Sequence, residues 1–374
     1  MSTSETAAAS AATTPARAAV LRAPDGAYSI EDVQVRAPIG NEVLVRIVGV
    51  GMCHTDVLPR TPGFPASPPI IPGHEGAGVV EAIGPDVTTL AAGDHVVLSF
   101  DSCGACANCL AGQPAYCDQF MLRNLFGRSL DGSSTVVDAA GQPLAARWFG
   151  QSSFATHAIA TERNAVKVDA ALPLETLGPL GCGIQTGAGS ILCALDVQPG
   201  TSVAVFGAGA VGLAAVMAAV VAGATTIIAV DLQQHRLDLA TELGATHVID
   251  GTADVLAQIV GITGGGVQYA FDTTGVPSVM LDAVRATRMT GTIGFVGVQQ
   301  GTFALESTDY IGKTIVNILE GSADPQTFIP RMIELWQAGR FPFDRLIETF
   351  PLDRIDEAEQ SSLAGGVIKP VLVP

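Results

Sequence analysis

The sequence predicts an α/β fold in two units, a mainly β unit interrupted by a parallel strand–helix sheet. Three observations predict it. Short β-branched runs broken by Pro and Gly fill residues 17–100, strand–helix alternation sets in near 185, and the glycine turn GAGAVG sits between an apolar strand and an Ala-rich helix. With 374 residues, 48% of them hydrophobic, and 42 Gly and 22 Pro, the chain is long enough for two cores joined by tight turns.

Along the chain, residues 1–16 (MSTSETAAASAATTPA) carry no hydrophobic periodicity and too little apolar surface to offset ordering, so a mobile tail is expected. No charged start leads into an apolar run, so no secretory signal is expected. VLVRIVGVG and GVVEAIG read as strands, and the five prolines of TPGFPASPPIIP read as an ordered surface loop. From about 185 the order is TSVAVFG, a helix, TIIAVD, the helix HRLDLATELGA, then HVID. Near 325 the alternation ends in a helix around FIPRMIELWQAG and closing strands. The expected domains are therefore 17–184 with 325–374, carrying a lobe at 100–118, and a nucleotide domain at 185–324. Val203 to Val230 is long and apolar enough to span a bilayer, but its internal glycines and terminal Asp231 fit strand, turn, helix and strand better.

The net charge of −17 gives phosphates no basic stripe, which argues against a nucleic-acid partner and against anionic membrane surfaces. Seven cysteines, four of them clustered, favour a reducing cytoplasm over a disulfide framework.

In GAGAVG, Gly207 permits the tight turn, Gly209 lets a pyrophosphate approach the backbone, and Gly212 allows close helix–strand packing. Ala210 and Val211 begin the helix, whose free N–H groups face the phosphates. Asp231 ends the next strand, 19 residues after Gly212, where a carboxylate accepts from the ribose 2′-OH and repels a 2′-phosphate. This is a Rossmann, doubly wound arrangement that favours NAD over NADP.

Cys103, Cys106, Cys109 and Cys117 follow the spacing C-x2-C-x2-C-x7-C. Four converging thiolates suit a closed structural zinc site. The competing readings are an iron–sulfur cluster, whose bacterial run has a shorter last gap followed by proline, and unpaired core cysteines. Cys53 in GMCHTD, His74 in PGHEGAG and Cys182 in GPLGCGIQTG form a possible open Cys2His zinc site, with a buried structural cysteine and a turn-capping histidine as the plainer alternatives. Cys193 in ILCAL reads as core.

The ordered set GMCHTD, GHEGAG, the four-cysteine lobe, LGCGIQTGAG and GAGAVG resembles the zinc-dependent medium-chain alcohol dehydrogenases from about Ala18 to the C-terminus. PLGCGIQTGAG, FGQSSFATHA and FPFDRLI are similar more narrowly to the aryl-alcohol (benzyl alcohol) dehydrogenases and the related geraniol dehydrogenases. The resemblance implies a GroES-like catalytic domain beside the Rossmann domain, and two zinc ions per chain. It implies reversible oxidation of an alcohol to an aldehyde through a zinc-bound alkoxide and hydride transfer to NAD. Cys53, His74 and Cys182 would hold the catalytic zinc, Glu75 would approach it from behind, and Asp56 would orient His74. Thr55 would take the hydroxyl proton, and His54 and Lys369 would face the cofactor phosphates. Thr186, Thr274, Val296 and Val298 would hold the cofactor near the nicotinamide, and Arg236 would meet the ribose.

Many members of the family carry a proton-relay histidine five residues after the first ligand cysteine; here that position is Leu58. The proton is then expected to leave Thr55 through cofactor ribose and water, or through His54. Leu58, Phe100 and Trp148 are the expected substrate-pocket residues, and an aromatic or planar unsaturated primary alcohol would pack against such rings. Benzyl or cinnamyl alcohol is the expected substrate, with geranyl or perillyl alcohol as the alternative. A non-catalytic NAD- and zinc-binding protein is the alternative of a different class. The family's edge-to-edge sheet pairing implies a homodimer or homotetramer.

Overall fold

The computed structural model describes residues 13–374. The tail expected over 1–16 falls on residues outside that range except for its last four, which are a correction. Thr13 to Ala16 open the strand Thr13–Leu21, which pairs antiparallel along its whole length with Tyr28–Arg36. The Ala/Ser/Thr run has no alternation of its own; the partner strand supplies its order.

Two sheets build the first unit. Thr13–Leu21, Tyr28–Arg36, Val136–Asp138 and Pro143–Leu144 form the smaller one. The larger runs in the order Ile347–Pro351, Lys369–Val373, Glu42–Gly51, Glu75–Ile83, His95–Leu98 and Ala165–Val168, with His157–Thr161 also paired to Glu42–Gly51. This sheet has a core on each face. His95–Leu98 sends Val96 and Leu98 into one and Val97 into the other, as the two-residue period of a strand requires. The proline-rich loop is less superficial than expected, since Ile70 and Ile71 at its end are buried.

The second unit is a six-stranded sheet in the order His247–Asp250, Thr226–Asp231, Ser202–Phe206, Val267–Asp272, Thr287–Phe295 and Thr314–Asn317, with every pair parallel. The strand order reverses between Ser202–Phe206 and Val267–Asp272, which opens a crevice beyond their carboxyl ends. Val203 to Val230 resolves into strand, turn, the helix Ala210–Ala222 and a second strand. Among the described residues no helix is long and apolar enough to cross a membrane.

The short helix Gly183–Gly189 joins the two units and lies against Ala210–Ala222. Its small residues let the backbones touch: a Cβ on Gly187 would stand 2.0 Å from the Val211 carbonyl oxygen and 2.8 Å from Ala214 Cβ. One continuous core spans the junction, combining Ala77, Val97 and Val166 with Val203, Val205 and Ile329.

Gly187→Ala is expected to destabilise the protein by about 3 kcal/mol, because the obstacle is backbone and cannot rotate away. Gly261→Ala, at a helical position with open space around it, is expected to be neutral or slightly stabilising. Thermal denaturation of the two variants checks the contrast.

Candidate metal centre and nucleotide cleft

The strand Glu42–Gly51 ends at the turn that carries Cys53, and the one-residue-tighter helix His54–Arg60 follows. Asp56 folds back within this helix and is buried. Its Oδ2 accepts from the Cys53 backbone N–H at 3.1 Å. Its Oδ1 accepts from the Gly73 N–H at 2.9 Å, from His74 Nδ1 at 2.7 Å and from Trp148 Nε1 at 3.1 Å. With Nδ1–H donated to a carboxylate, Nε2 is the ring nitrogen left for a metal, and it points at Cys182 Sγ 3.2 Å away.

Ligand atoms of Cys53, His74, Glu75 and Cys182 lie within 4.8 Å of one another, although the chain separates the first from the last by over a hundred residues. Two sulfurs and an imidazole nitrogen in a buried pocket are a donor set suited to zinc. A hydrogen bond from Cys182, opposed by burial and aided by His74, holds the Cys53 thiol well below the ordinary range. That same contact and burial push Cys182 well above it. The two sulfurs thus differ in proton affinity, and a cation binding both would displace the remaining proton.

Glu75 is fully buried, and burial raises its pKa. Both its oxygens lie 2.9 Å from Lys369 Nζ, and Oε1 also accepts from the Gly183 N–H at 2.9 Å. Gly51 makes room for it, since a Cβ there would fall 2.0 Å from Glu75 Oε2. The expectation that Lys369 meets a cofactor phosphate is corrected here. Its ammonium is buried and donates to both Glu75 oxygens and to the Met52 carbonyl oxygen, which uses all three of its protons.

The expected pocket residues are also revised. Trp148 is wholly buried with its N–H on Asp56 and its ring edge-on to His74, so it lines no solvent-accessible channel. Phe100 is buried against Phe120. Leu58 and Thr55 are half-buried and His54 is exposed. Cys193, read as core, is exposed.

Two residues escaped sequence reasoning. Phe149 stacks on the His74 ring at 4.4 Å between centroids, held at φ 48°. Glu320 is buried with Oε1 4.0 Å from Cys182 Sγ, and burial pushes its carboxyl up to about 7. No local pattern marks either one, although an acidic residue in the apolar context NILEG was a signal available for Glu320.

In the lobe, the sulfurs of Cys103, Cys106, Cys109 and Cys117 converge in the same way. Backbone N–H groups of Ala105 and Cys106 point at Cys103 Sγ from 3.4 and 3.3 Å, and those of Cys103 and Gln119 point at Cys117 Sγ from 3.2 and 3.4 Å. These bonds favour thiolates. They bring Cys103 down to about 6, while burial pushes Cys117 up to about 12.

The glycine turn separates three steric roles. Gly207 has φ 91°, and a Cβ there would meet Thr273 Oγ1 at 2.4 Å. Gly209 has nothing within 4 Å, leaving its backbone open to approach, whereas a Cβ on Gly212 would strike the Gly207 carbonyl oxygen at 1.8 Å. Beside the turn, a cavity of about 360 Å³ is lined by Gly207, Asp231, Arg236 and Thr274 among others. Asp231 is fixed by the N–H groups of Ala208 (2.6 Å) and Gln233 (2.9 Å), with Arg236 Nη1 3.9 Å away. Ala210 and Val211 are half-buried at the helix start, and Thr186 is buried on the junction helix. Val298 is exposed, and its carbonyl lies so near Gly275 that a Cβ there would fall 2.2 Å away, packing the turn through Val296 against DTTG.

Comparison with known proteins agrees with this geometry. The family described as "Alcohol dehydrogenase GroES-like domain" matches residues 40–170, and the one described as "Zinc-binding dehydrogenase" matches 210–337. The chain is 49% identical over 364 residues to the geraniol dehydrogenase of Castellaniella defragrans, covering 96% of this chain and 97% of that one. It superposes on the crystal structure of benzyl alcohol dehydrogenase from Acinetobacter calcoaceticus with a TM-score of 0.93 and 45% identity, covering 96% and 99%. An alcohol dehydrogenase zinc-binding domain protein from Burkholderia ambifaria gives a TM-score of 0.95 and 51% identity, covering 97% and 100%.

Asp56→Asn removes the charge that fixes the His74 tautomer and leaves a side-chain amide to compete with three donors. It is expected to weaken metal retention at the Cys53–His74–Cys182 cluster by about 10- to 100-fold. Chelator competition with metal analysis, compared with retention in the cysteine lobe of the same sample, measures it.

Proposed function

The chain belongs to the zinc-binding alcohol dehydrogenases, and on that premise we propose that it is an NAD-dependent dehydrogenase of aromatic primary alcohols, benzyl or cinnamyl in type. The observation that carries the reading is the convergence of two sulfurs and an oriented imidazole at the start of the junction helix. Cys53, His74 and Cys182 would hold the catalytic zinc, and the lobe would hold a second, structural one. When bound, zinc supplies the Lewis acidity that makes an alcohol hydroxyl acidic, and NAD accepts the hydride.

The chain's own residues do the rest. Asp56 keeps His74 in the tautomer that offers Nε2. Glu75 stands behind the cluster, its carboxylate tied to Lys369. Thr55 takes the hydroxyl proton and passes it outward through cofactor ribose and water or through the exposed His54, because Leu58 has no group to relay it. Asp231 and Arg236 meet the ribose, and Thr274, Val296 and Val298 lie along the cofactor. A carboxylate at 231 repels a 2′-phosphate, which favours NAD.

Likeness to the benzyl alcohol dehydrogenase structure supports the aryl substrate. A second reading, an allylic terpenoid alcohol, is supported by the 49% identity to a geraniol dehydrogenase. Both classes carry the hydroxyl next to a π system that conjugates with the aldehyde product. We further propose a homodimer or homotetramer formed through the outer strand Thr314–Asn317, where Ile311, Ile315 and Leu319 are exposed apolar residues. Seven free cysteines fit a reducing cytoplasm.

An initial-rate panel tests the substrate: benzyl and cinnamyl alcohols should exceed ethanol by about 100-fold or more in kcat/KM. Ethanol in the lead would overturn the proposal, and geraniol in the lead would select the second reading. Separately, Asp231→Asn should lower the preference for NAD over NADP by about 10-fold, because it removes one full charge facing the 2′-position. The ratio of kcat/KM for the two cofactors measures this.

A further inference from the structure

Glu320 has no place in the chemistry described above, yet the structure spends several constraints on it. It is buried, its Oε1 lies 4.0 Å from Cys182 Sγ, and its Oε2 has no hydrogen-bond partner among the described residues. A buried carboxyl oxygen without a partner is costly and calls for a reason beyond packing.

The backbone that delivers it is equally unusual. Glu320, Gly321 and Ser322 have φ of 51°, 69° and 55°, a left-handed run in which two of three residues carry a Cβ. Gly321 is wedged against the junction helix. A Cβ there would stand 2.7 Å from the Gln185 carbonyl oxygen and 2.9 Å from Gly189 Cα, so the turn cannot slide along the helix that begins after Cys182.

The third constraint comes from the cysteine lobe. Tyr116, immediately before Cys117, places its hydroxyl 2.6 Å from Ser322 Oγ. The Tyr116 backbone is fixed in turn by Asn108, whose Nδ2 donates to its carbonyl at 2.7 Å, between Cys106 and Cys109. The lobe thus grips the turn two residues from Glu320.

We propose that Glu320 is a positioning residue of the catalytic metal centre, acting through the sulfur of Cys182, and that the cysteine lobe holds it there through Tyr116 and Ser322. It acts through the ligand, because its carboxyl lies outside the group of four whose ligand atoms converge. In the metal-free site the Cys182 thiol donates to Glu320 Oε1, and a polar group fixed against a ligand sulfur confines that sulfur's position and sets the field it feels, which tunes the bond the sulfur makes to a metal. The lobe gains a function beyond local stability: it sets the second environment of a ligand in the other metal site. This inference rests on Cys53, His74 and Cys182 being metal ligands.

The test uses the full-length protein loaded with cobalt(II) in place of zinc, read by the sulfur-to-cobalt absorption band and by the rate of metal release to a chelator. Glu320→Ala is expected to move the band and speed release from the catalytic site by about 10-fold, and Glu320→Gln, which keeps a polar group beside Cys182, to restore most of both. Ser322→Ala should shift the band in the same direction by less, and in combination with Glu320→Ala should add nothing to the single change. Cobalt is exchanged into the Cys53–His74–Cys182 site with the lobe left loaded with zinc, so that the band and the release rate report that site alone. A band and release rate unmoved in Glu320→Ala, or Ser322→Ala effects that add fully to it, would overturn the proposal even if the wild-type band is normal. A mutated Cys182→Ser protein with the same spectrum as wild type would instead remove the ligand assignment itself, and this inference with it. Melting temperatures and the Gln variant separate loss of contact from loss of fold.

Discussion

Four donors from separate parts of the chain end on one buried carboxylate, that of Asp56: the backbone of Cys53, the backbone of Gly73, the imidazole of His74 and the indole of Trp148. A carboxylate in an apolar interior is tolerated only when its lone pairs are filled, and here they are filled by groups that must themselves be fixed. The bond to Cys53 sets the turn after the strand Glu42–Gly51. The bonds to Gly73 and His74 set the start of Glu75–Ile83. Two ligand candidates, one just after a strand and one just before another, are therefore oriented before any metal arrives, and Trp148 and Phe149 pack against the His74 ring.

Electrostatics explains why a cation belongs in this pocket. Cys53, Cys182, Glu75, Glu320 and Asp56 all bring negative or potentially negative groups into one buried region, against the ammonium of Lys369 and the imidazole of His74, whose charge burial opposes but Asp56 favours, raising its pKa well above the ordinary value. Burial works against the charge on Lys369, yet Glu75 and the nearby thiols raise its pKa above the ordinary value, so it stays charged. Cys53 and Cys182 are pushed in opposite directions, the first toward the thiolate and the second toward the thiol. A divalent cation replaces protons as the neutralising charge, which is the physical sense of a metal site built from two thiols.

Much of this was legible in the sequence because it depends on local spacing. The three glycines of GAGAVG perform three distinct steric tasks that their positions dictate, and the four lobe cysteines converge because two-residue gaps turn successive thiols toward one point. What stayed hidden depends on partners far away in the chain. Lys369 looked like a phosphate contact until its partner Glu75 was known. Trp148 looked like a pocket wall until its N–H was found on Asp56, ninety-two residues earlier. Thr13 to Ala16 looked unstructured because strand order there comes from Tyr28–Arg36 and not from their own pattern. Phe149 and Glu320 sit in left-handed conformations that no residue type announces, since only glycine adopts them without cost.

The two units meet where chemistry requires the least freedom. Cys182 precedes the junction helix and Thr186 lies one turn into it, its N–H bonded to the Cys182 carbonyl at 2.7 Å. Cys182, proposed as a metal ligand, and Thr186, proposed to face the cofactor, are thus separated by about 6 Å of helix, at 1.5 Å per residue. The helix is pinned on one side by Ala210–Ala222, where Gly187 meets Val211, and on the other by the turn at Gly321. Any relative movement of the two units about this junction leaves the spacing between Cys182 and Thr186 unchanged. The small residues of GCGIQTGAG follow from that packing: a bulkier side chain at Gly187 would strike the Val211 carbonyl, and one at Gly189 the turn at Gly321, so the helix would be forced away from one neighbour or the other.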